Sequence, residues 1–346
     1  MPIRPVTGPC AWTAAQMRAS DRWIYRLTEA DRQELRDALA ILRSKGSAIP
    51  FGKADFPLGS FAAKLGCLRE EAESGSGVML MRGFPLDEWD FETARLAYWG
   101  LGTHIGTALA QNARGELLGE VTDKGGNANT NPNARGYHTA YAMPFHNDYC
   151  DVVGLLCVRR SKAGGLSCVA SAAAVHNRIL EARPDILDLL YGPWYSDVRG
   201  EEPEGRPPYY MEPRYARLGE RLFTHHGNTY LKSAQRFPEV PRMTDLHFEA
   251  VGMIDALCAS DEFRLDMDFQ PGDIQLLNNR VVLHSRTDFV DYDEPGRKRL
   301  LLRLWLRTPG YAELPGFMTP RLEDMDLWLR NPRAGPWLGL GSGGPS

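Results

Sequence analysis

The sequence predicts a mainly β core with flanking helices, an α+β fold whose strands build a sandwich or barrel. Two observations carry that expectation. From residue 145 onward, apolar runs of strand length recur between Gly and Pro punctuation, at 152–158, 166–171, 221–225, 274–277, 281–284 and 300–306. No regular alternation of strand and helix accompanies them, which argues against a parallel sheet. Helical patterns are instead concentrated before residue 100 and in later insertions at 174–181, 185–190 and 244–260.

Taken in order, residues 13–46 are expected to be helical. Leu35, Leu39 and Leu42 recur at helical spacing, Thr28 with Glu29 and Asp31 offers a cap, and Gly46 stops the run. A second helix is expected over 61–72, ended by Gly75-Ser76-Gly77. Val78-Met79-Leu80-Met81, bounded by Gly77 and Pro85, reads as the first buried strand of the core, and 91–98 returns to helix. Residues 112–140 are rich in Asn and Gly, so little there can be buried. Because this long loop runs directly into His146, a lid is expected near 112–143. Residues 335–346 are rich in Gly, Pro and Ser and are expected to be poorly ordered. The chain thus divides into an N-terminal helical elaboration (1–76), a β domain (77–334) and a tail (335–346).

Composition narrows the function. A formal net charge of −4 carries no basic signature, so nucleic acid is not an expected partner. No apolar run approaches the ~20 residues of a membrane span, and Met1-Pro2-Ile3-Arg4-Pro5 does not open a secretory signal. The 6 cysteines form no Cys-x-x-Cys pair and read as reduced thiols of a cytoplasmic protein. Oligomeric state is left open, a homo-oligomer included.

The chemistry centres on Pro144-Phe145-His146-Asn147-Asp148-Tyr149. Along a strand, residues i and i+2 share a face, so His146 and Asp148 point the same way. With a third ligand from elsewhere, an imidazole and a carboxylate can fill one face of an octahedron and leave the other open. That is the two-His, one-carboxylate arrangement of non-haem Fe(II) oxygenases. His284 closes the run Arg280-Val281-Val282-Leu283-His284, where a histidine can point into a barrel, although an isolated histidine is more often a satisfied core or surface residue. Asp268-Phe269-Gln270-Pro271-Gly272-Asp273 reads as a tight turn feeding a strand. In 297–307, Arg299, Leu301, Arg303, Trp305 and Arg307 share one face and four leucines the other. The leucine face must be core. The arginine face is either solvent or the wall of a pocket that takes an anion, which arginine grips in bidentate fashion. His247-x-Glu249 lies in an apparent helix where i and i+2 diverge, and the adjacent His225 and His226 read as structural.

In order, these pieces are an apolar strand, Phe145-His146-Asn147-Asp148, Gly164-Gly165-Leu166-Ser167, Gln270-Pro271-Gly272-Asp273-Ile274, Asn278-Asn279-Arg280-Val281-Val282-Leu283-His284, and Arg299-x-x-x-Arg303. The combination resembles the taurine dioxygenase family of Fe(II)- and 2-oxoglutarate-dependent oxygenases, the clavaminate synthase-like group, over residues 77–310. The resemblance implies a double-stranded β-helix (jelly roll) with iron held by His146, Asp148 and His284. It implies that Arg299 binds the distal carboxylate of 2-oxoglutarate, that Ser167, where the taurine enzyme has threonine, assists it, and that Arg303 lines the cosubstrate or substrate region. O2 and 2-oxoglutarate are then consumed, and succinate and CO2 released, as a C–H bond of a small organic substrate is oxidised, by default hydroxylated. Asp148 disfavours halogenation, since related halogenases lose that ligand. Tyr137, His138, Tyr141 and Asn279 are expected substrate contacts. Two readings remain beside it: a jelly-roll metal-binding protein without catalysis, and a cupin-type metalloenzyme that does not use 2-oxoglutarate. The intact ligand set and Arg299 speak against the first, and Arg299 with Ser167 against the second.

Overall fold

The computed structural model describes residues 3–125 and 136–334. Its larger sheet runs in the order Ile24–Arg26, Val78–Arg82, Ile274–Asn278, Val152–Arg159, Leu300–Arg307 and Thr107–Ala108, with Leu118–Val121 also paired to Leu300–Arg307. Only the first pair is parallel; the other pairings are antiparallel. The facing sheet, Leu265–Met267, Ser167–Ser171, Val282–Arg286 and Met143–His146, is antiparallel throughout. Together the two sheets make the double-stranded β-helix.

Side-chain alternation sorts the two faces of the larger sheet. Met79, Met81, Leu276, Leu302, Leu304 and Leu306 pack outward, in one core with residues of helices Glu29–Ser44, Ser60–Ser74 and Phe91–Ile105. Leu80, Val153, Leu155, Leu277, Leu301 and Trp305 belong to the core between the sheets. The strand Leu300–Arg307 is therefore buried on both faces, and Arg299 and Arg303 stand inside at 4% and 5% exposure. The solvent reading of the arginine face is excluded for these two; of the three, only Arg307 is exposed.

The structure corrects several expected elements. Residues 13–46 are not one helical stretch: Ala14–Arg18 and Glu29–Ser44 are helices, and Ile24–Arg26 is a strand paired with Leu80–Arg82. The backbone groups of Ile24–Arg26 are satisfied by a partner more than fifty residues away, which no local periodicity reveals. Within the expected lid, Leu118–Val121 forms a strand on Leu301–Leu304, and Asn112, Ala113, His138 and Thr139 are buried, so the expectation that little there can be buried does not hold; residues 126–135 of that segment and the tail at 335–346 lie outside the described residues. The helix expected at 91–98 continues to Ile105, and a helix at Thr319–Arg330 had no counterpart in the sequence reading.

The start of Glu29–Ser44 shows how a local signal becomes tertiary. Thr28 and Asp31 form a reciprocal capping box. Asp31, fully buried, also accepts from Lys64 Nζ at 2.6 Å and Tyr25 Oη at 2.7 Å. Burial pushes its carboxyl pKa up, but the hydrogen bonds from Lys64, Tyr25 and Thr28 outweigh burial and bring it to about 2. A folded-state value below the unfolded one stabilises the protein above pH ~4 and is lost as pH falls through the folded value. Asp31→Asn is expected to cost roughly 1–2 kcal/mol at neutral pH in denaturant unfolding, with a deficit that shrinks between pH ~4 and ~2. A deficit independent of pH would show that the charge of Asp31 is not what the contact uses.

Candidate active site

His146 ends the strand Met143–His146, and Asp148 follows in the irregular segment after it rather than in the strand as expected. The two still converge, with His146 Nε2 3.9 Å from Asp148 Oδ1. His284 is the cross-strand partner of His146, their ring centroids are 4.2 Å apart, and its Nε2 lies 3.8 Å from Asp148 Oδ2. The candidate ligand atoms all fall within 4.8 Å of one another, close enough to share one divalent ion.

Protonation suits that role. His146 Nδ1 is 2.9 Å from the Pro144 carbonyl, which can only accept, so Nδ1 carries the proton and Nε2 offers its lone pair. Burial depresses both imidazoles, His284 to about 3 with His146 adding to the effect, so both are neutral donors at neutral pH. Burial raises the Asp148 pKa, yet the Arg303 guanidinium, with the Trp305 hydrogen bond, opposes it, and the carboxyl stays below its ordinary value and ionised. Two neutral imidazoles and one carboxylate on one side of a site fit Fe(II).

Groups to which the sequence reading assigned no such role fix these ligands. Trp305 Nε1 donates to Asp148 Oδ2 at 2.8 Å, and Asn279 Oδ1 accepts from the Asp148 backbone N–H at 3.2 Å. Asn147 Nδ2 bridges to the carbonyls of Asn279 and Val282 at 2.8 and 2.7 Å, stitching the Asp148 segment to the His284 strand. A signal for Trp305 existed, since it shares a strand face with Arg299 and Arg303. Asn147 had none, because its partners are distant in sequence.

On one side of the triad opens a cavity lined by Leu155, Ser167, Phe269, Arg286, Arg299 and Leu301. Arg299 is buried, and its Nη1 has no hydrogen-bond partner among the described residues. Burial lowers its pKa to about 10, which leaves it cationic at neutral pH. A buried cation with an unmet N–H calls for an anion. The Ser167 hydroxyl reaches the same cavity from a hydrogen bond with Gln275 at 3.1–3.2 Å. Gly165, at φ +74°, makes room for the guanidinium: a Cβ there would stand 3.1 Å from Arg299 Nε.

A second cavity, lined by Tyr137, Tyr141, Arg199, Asn228, Tyr230 and Arg321 among others, shares His146, Asp148 and Arg303 with the first. Arg303 stands at the junction, its Nε donating to Gln111 Oε1 at 2.8 Å and its guanidinium 4.3 Å from the Tyr137 ring centroid. Two expected substrate contacts, Asn279 and His138, stand outside the lining of both cavities. Asn279 is fully buried and lines neither cavity, because its side chain is spent on the Asp148 N–H and on Cys150 Sγ. His138 also lines neither; it is buried with its ring against Tyr137.

The remaining candidates are structural. His225 contacts Glu212 at 3.1 Å and stacks on Tyr149, and His226 contacts Asp255 at 3.1 Å. His247 caps its own helix through Thr244, and Glu249 pairs with Arg183.

Two facing sheets with a His-Asp-His cluster between them define a mononuclear metalloenzyme site on a cupin-like barrel. Residues 42–305 match the family described as taurine catabolism dioxygenase TauD, TfdA family, and the chain belongs to that family. It is thereby a non-haem Fe(II)- and 2-oxoglutarate-dependent oxygenase. Among relatives, FR-33289 synthase of Streptomyces rubellomurinus (strain ATCC 31215) is 30% identical over 90% of this chain and 93% of its own. A taurine hydroxylase-like protein, SAT17, of Stachybotrys chartarum is 24% identical over 88% and 82%. Among solved structures, asparagine oxygenase in complex with Fe(II), 2S,3S-3-hydroxyasparagine and succinate superposes with a TM-score of 0.63 at 17% identity, covering 83% of this chain and 94% of that one. The non-haem iron oxygenase OrfP in complex with Fe and alpha-ketoglutaric acid gives 0.58 at 15%, covering 82% and 94%. No helix among the described residues is long and apolar enough to cross a membrane.

Proposed function

We propose that His146, Asp148 and His284 hold the catalytic iron, that Arg299 and the Ser167 hydroxyl hold the distal carboxylate of 2-oxoglutarate, and that the second cavity takes a small organic molecule whose C–H bond is hydroxylated. One observation carries this reading: the cluster lies where two cavities meet, one of which holds a buried guanidinium, that of Arg299, whose Nη1 has no hydrogen-bond partner among the described residues. Bound there, Fe(II) with 2-oxoglutarate and O2 supplies the oxidising power, and succinate and CO2 are the coproducts.

The chain's residues bind, orient and exclude water. The Pro144 carbonyl fixes the tautomer of His146, and Trp305 fixes the rotamer of Asp148. Arg299 meets the distal carboxylate with charge-assisted hydrogen bonds, each contributing roughly 1.5–3 kcal/mol. Leu155, Phe269 and Leu301 keep the cosubstrate end apolar. Arg303, held by Gln111 and Tyr137, separates the two ligand spaces, and Tyr137 and Tyr141 belong to the substrate wall. The hydroxylated amino acid in the asparagine oxygenase complex is a precedent for the default outcome on this fold. Six unpaired cysteines suit a reducing, cytoplasmic setting.

The test is anaerobic titration of the Fe(II)-loaded protein with 2-oxoglutarate, read by the weak visible metal-to-ligand charge-transfer band. A saturable band is expected. With iron confirmed bound, absence of any band would favour a cupin-type enzyme or a binding protein.

A further inference from the structure

The cosubstrate cavity contains a second buried arginine. Arg286 lies two residues past His284 on the same strand, so both side chains face the barrel interior. Its cross-strand partner is Ser167. The guanidinium centres of Arg286 and Arg299 lie 4.7 and 5.2 Å from the centroid of one ring, that of Phe289. Among the described residues neither arginine makes an ion pair, and the buried Nη1 of each has no hydrogen-bond partner. Two like charges on one ring repel, and a single carboxylate, with four lone-pair sites, can serve both forks.

Arg286 has a second attachment. Its Nη2 donates to the Thr139 carbonyl at 2.8 Å and to the Tyr141 carbonyl. The Phe289 N–H donates to the intervening Ala140 carbonyl at 3.1 Å. The segment that these bonds hold carries Tyr141 in the wall of the second cavity and follows Tyr137, which packs on Arg303. A guanidinium is a rigid planar fork, so a pull on Nη1 moves Nη2 and the carbonyls attached to it.

We propose that Arg286 binds the distal carboxylate of 2-oxoglutarate jointly with Arg299, and that through its bonds to Thr139 and Tyr141 it positions the substrate-side wall when that carboxylate is present. This rests on the reading above that the carboxylate lies at Arg299.

The test compares 2-oxoglutarate with 2-oxopentanoate, which has the same five carbons and no distal carboxylate, on the anaerobic Fe(II)-loaded protein. Wild type, Arg286→Gln and Arg286→Lys are titrated by the charge-transfer band. Arg286→Gln is expected to weaken 2-oxoglutarate about tenfold or more and to leave 2-oxopentanoate unchanged. Arg286→Lys, which keeps the charge, is expected to recover much of the affinity and carries the comparison if the Gln variant does not fold. Hydrogen exchange over 136–143 supplies the second readout. In wild type, 2-oxoglutarate should protect this segment and 2-oxopentanoate should not. In saturated Arg286→Lys the protection should be absent, because an ammonium lacks the fork.

Equal loss for both keto acids would reduce Arg286 to a structural residue. Unaltered 2-oxoglutarate affinity in Arg286→Gln, or equal protection by both keto acids in wild type, would also overturn the proposal. Wild type that holds iron but gives a band with neither compound would remove the functional reading, and this inference with it.

Discussion

His284→Ala is expected to abolish stoichiometric iron binding, the charge-transfer band and turnover together, while the iron-free protein melts close to wild type. The side chain is neutral and lines the cosubstrate cavity, and its Nδ1 has no hydrogen-bond partner among the described residues, so its loss opens into existing space and breaks no hydrogen bond at that atom. What it offers is an Nε2 lone pair, 3.8 Å from Asp148 and across the strand pair from His146. Asp148→Ala should lose iron as completely but also destabilise the fold. It leaves the buried Trp305 N–H unmet and takes a counter-charge from Arg303, whose Nη1 lies 3.7 Å away. An unsatisfied buried donor costs roughly 1–3 kcal/mol. Metal analysis after anaerobic loading and thermal melts of the iron-free variants separate the two effects. One iron per chain retained in His284→Ala would place the metal elsewhere.

Loss of Arg299 is expected to strike the cosubstrate and spare the metal. Arg299→Gln should load iron normally yet need about 10²-fold more 2-oxoglutarate for half of the band, from two charge-assisted hydrogen bonds at roughly 1.5–3 kcal/mol each. Arg299→Lys should recover only part of this, since a point charge does not reproduce a bidentate fork. Gly165 sharpens the expectation: the chain leaves out a side chain where the guanidinium passes. A shift smaller than about threefold in Arg299→Gln would mean that another cation carries the carboxylate, and Arg286 is the group positioned to do so.

Much of this protein could be read along the chain, because the rules involved are local. Alternation at period two put Arg299 and Arg303 on one face and leucines on the other, and the structure keeps that division, with helices over Leu302, Leu304 and Leu306. The His146-x-Asp148 spacing brought two ligands together even though the strand ends before Asp148. Membership of the oxygenase family followed from the order of short motifs, each weak alone.

What needed the tertiary structure was every relation between segments distant in sequence. Ile24–Arg26 and Leu118–Val121 are strands because a neighbouring strand satisfies their backbone, not because their own pattern demands it. Asn279 looked like a pocket residue beside His284, yet its amide holds the Asp148 segment, a bond spanning 131 residues. Trp305 as an orienter of Asp148, and Arg286 as a second guanidinium over Phe289, came into view only with the sheets in place. Sequence determined which side chains share a face, since backbone geometry sets that residue by residue. Folding decided which faces meet, because that depends on which distant surfaces bury one another and which buried polar groups find partners.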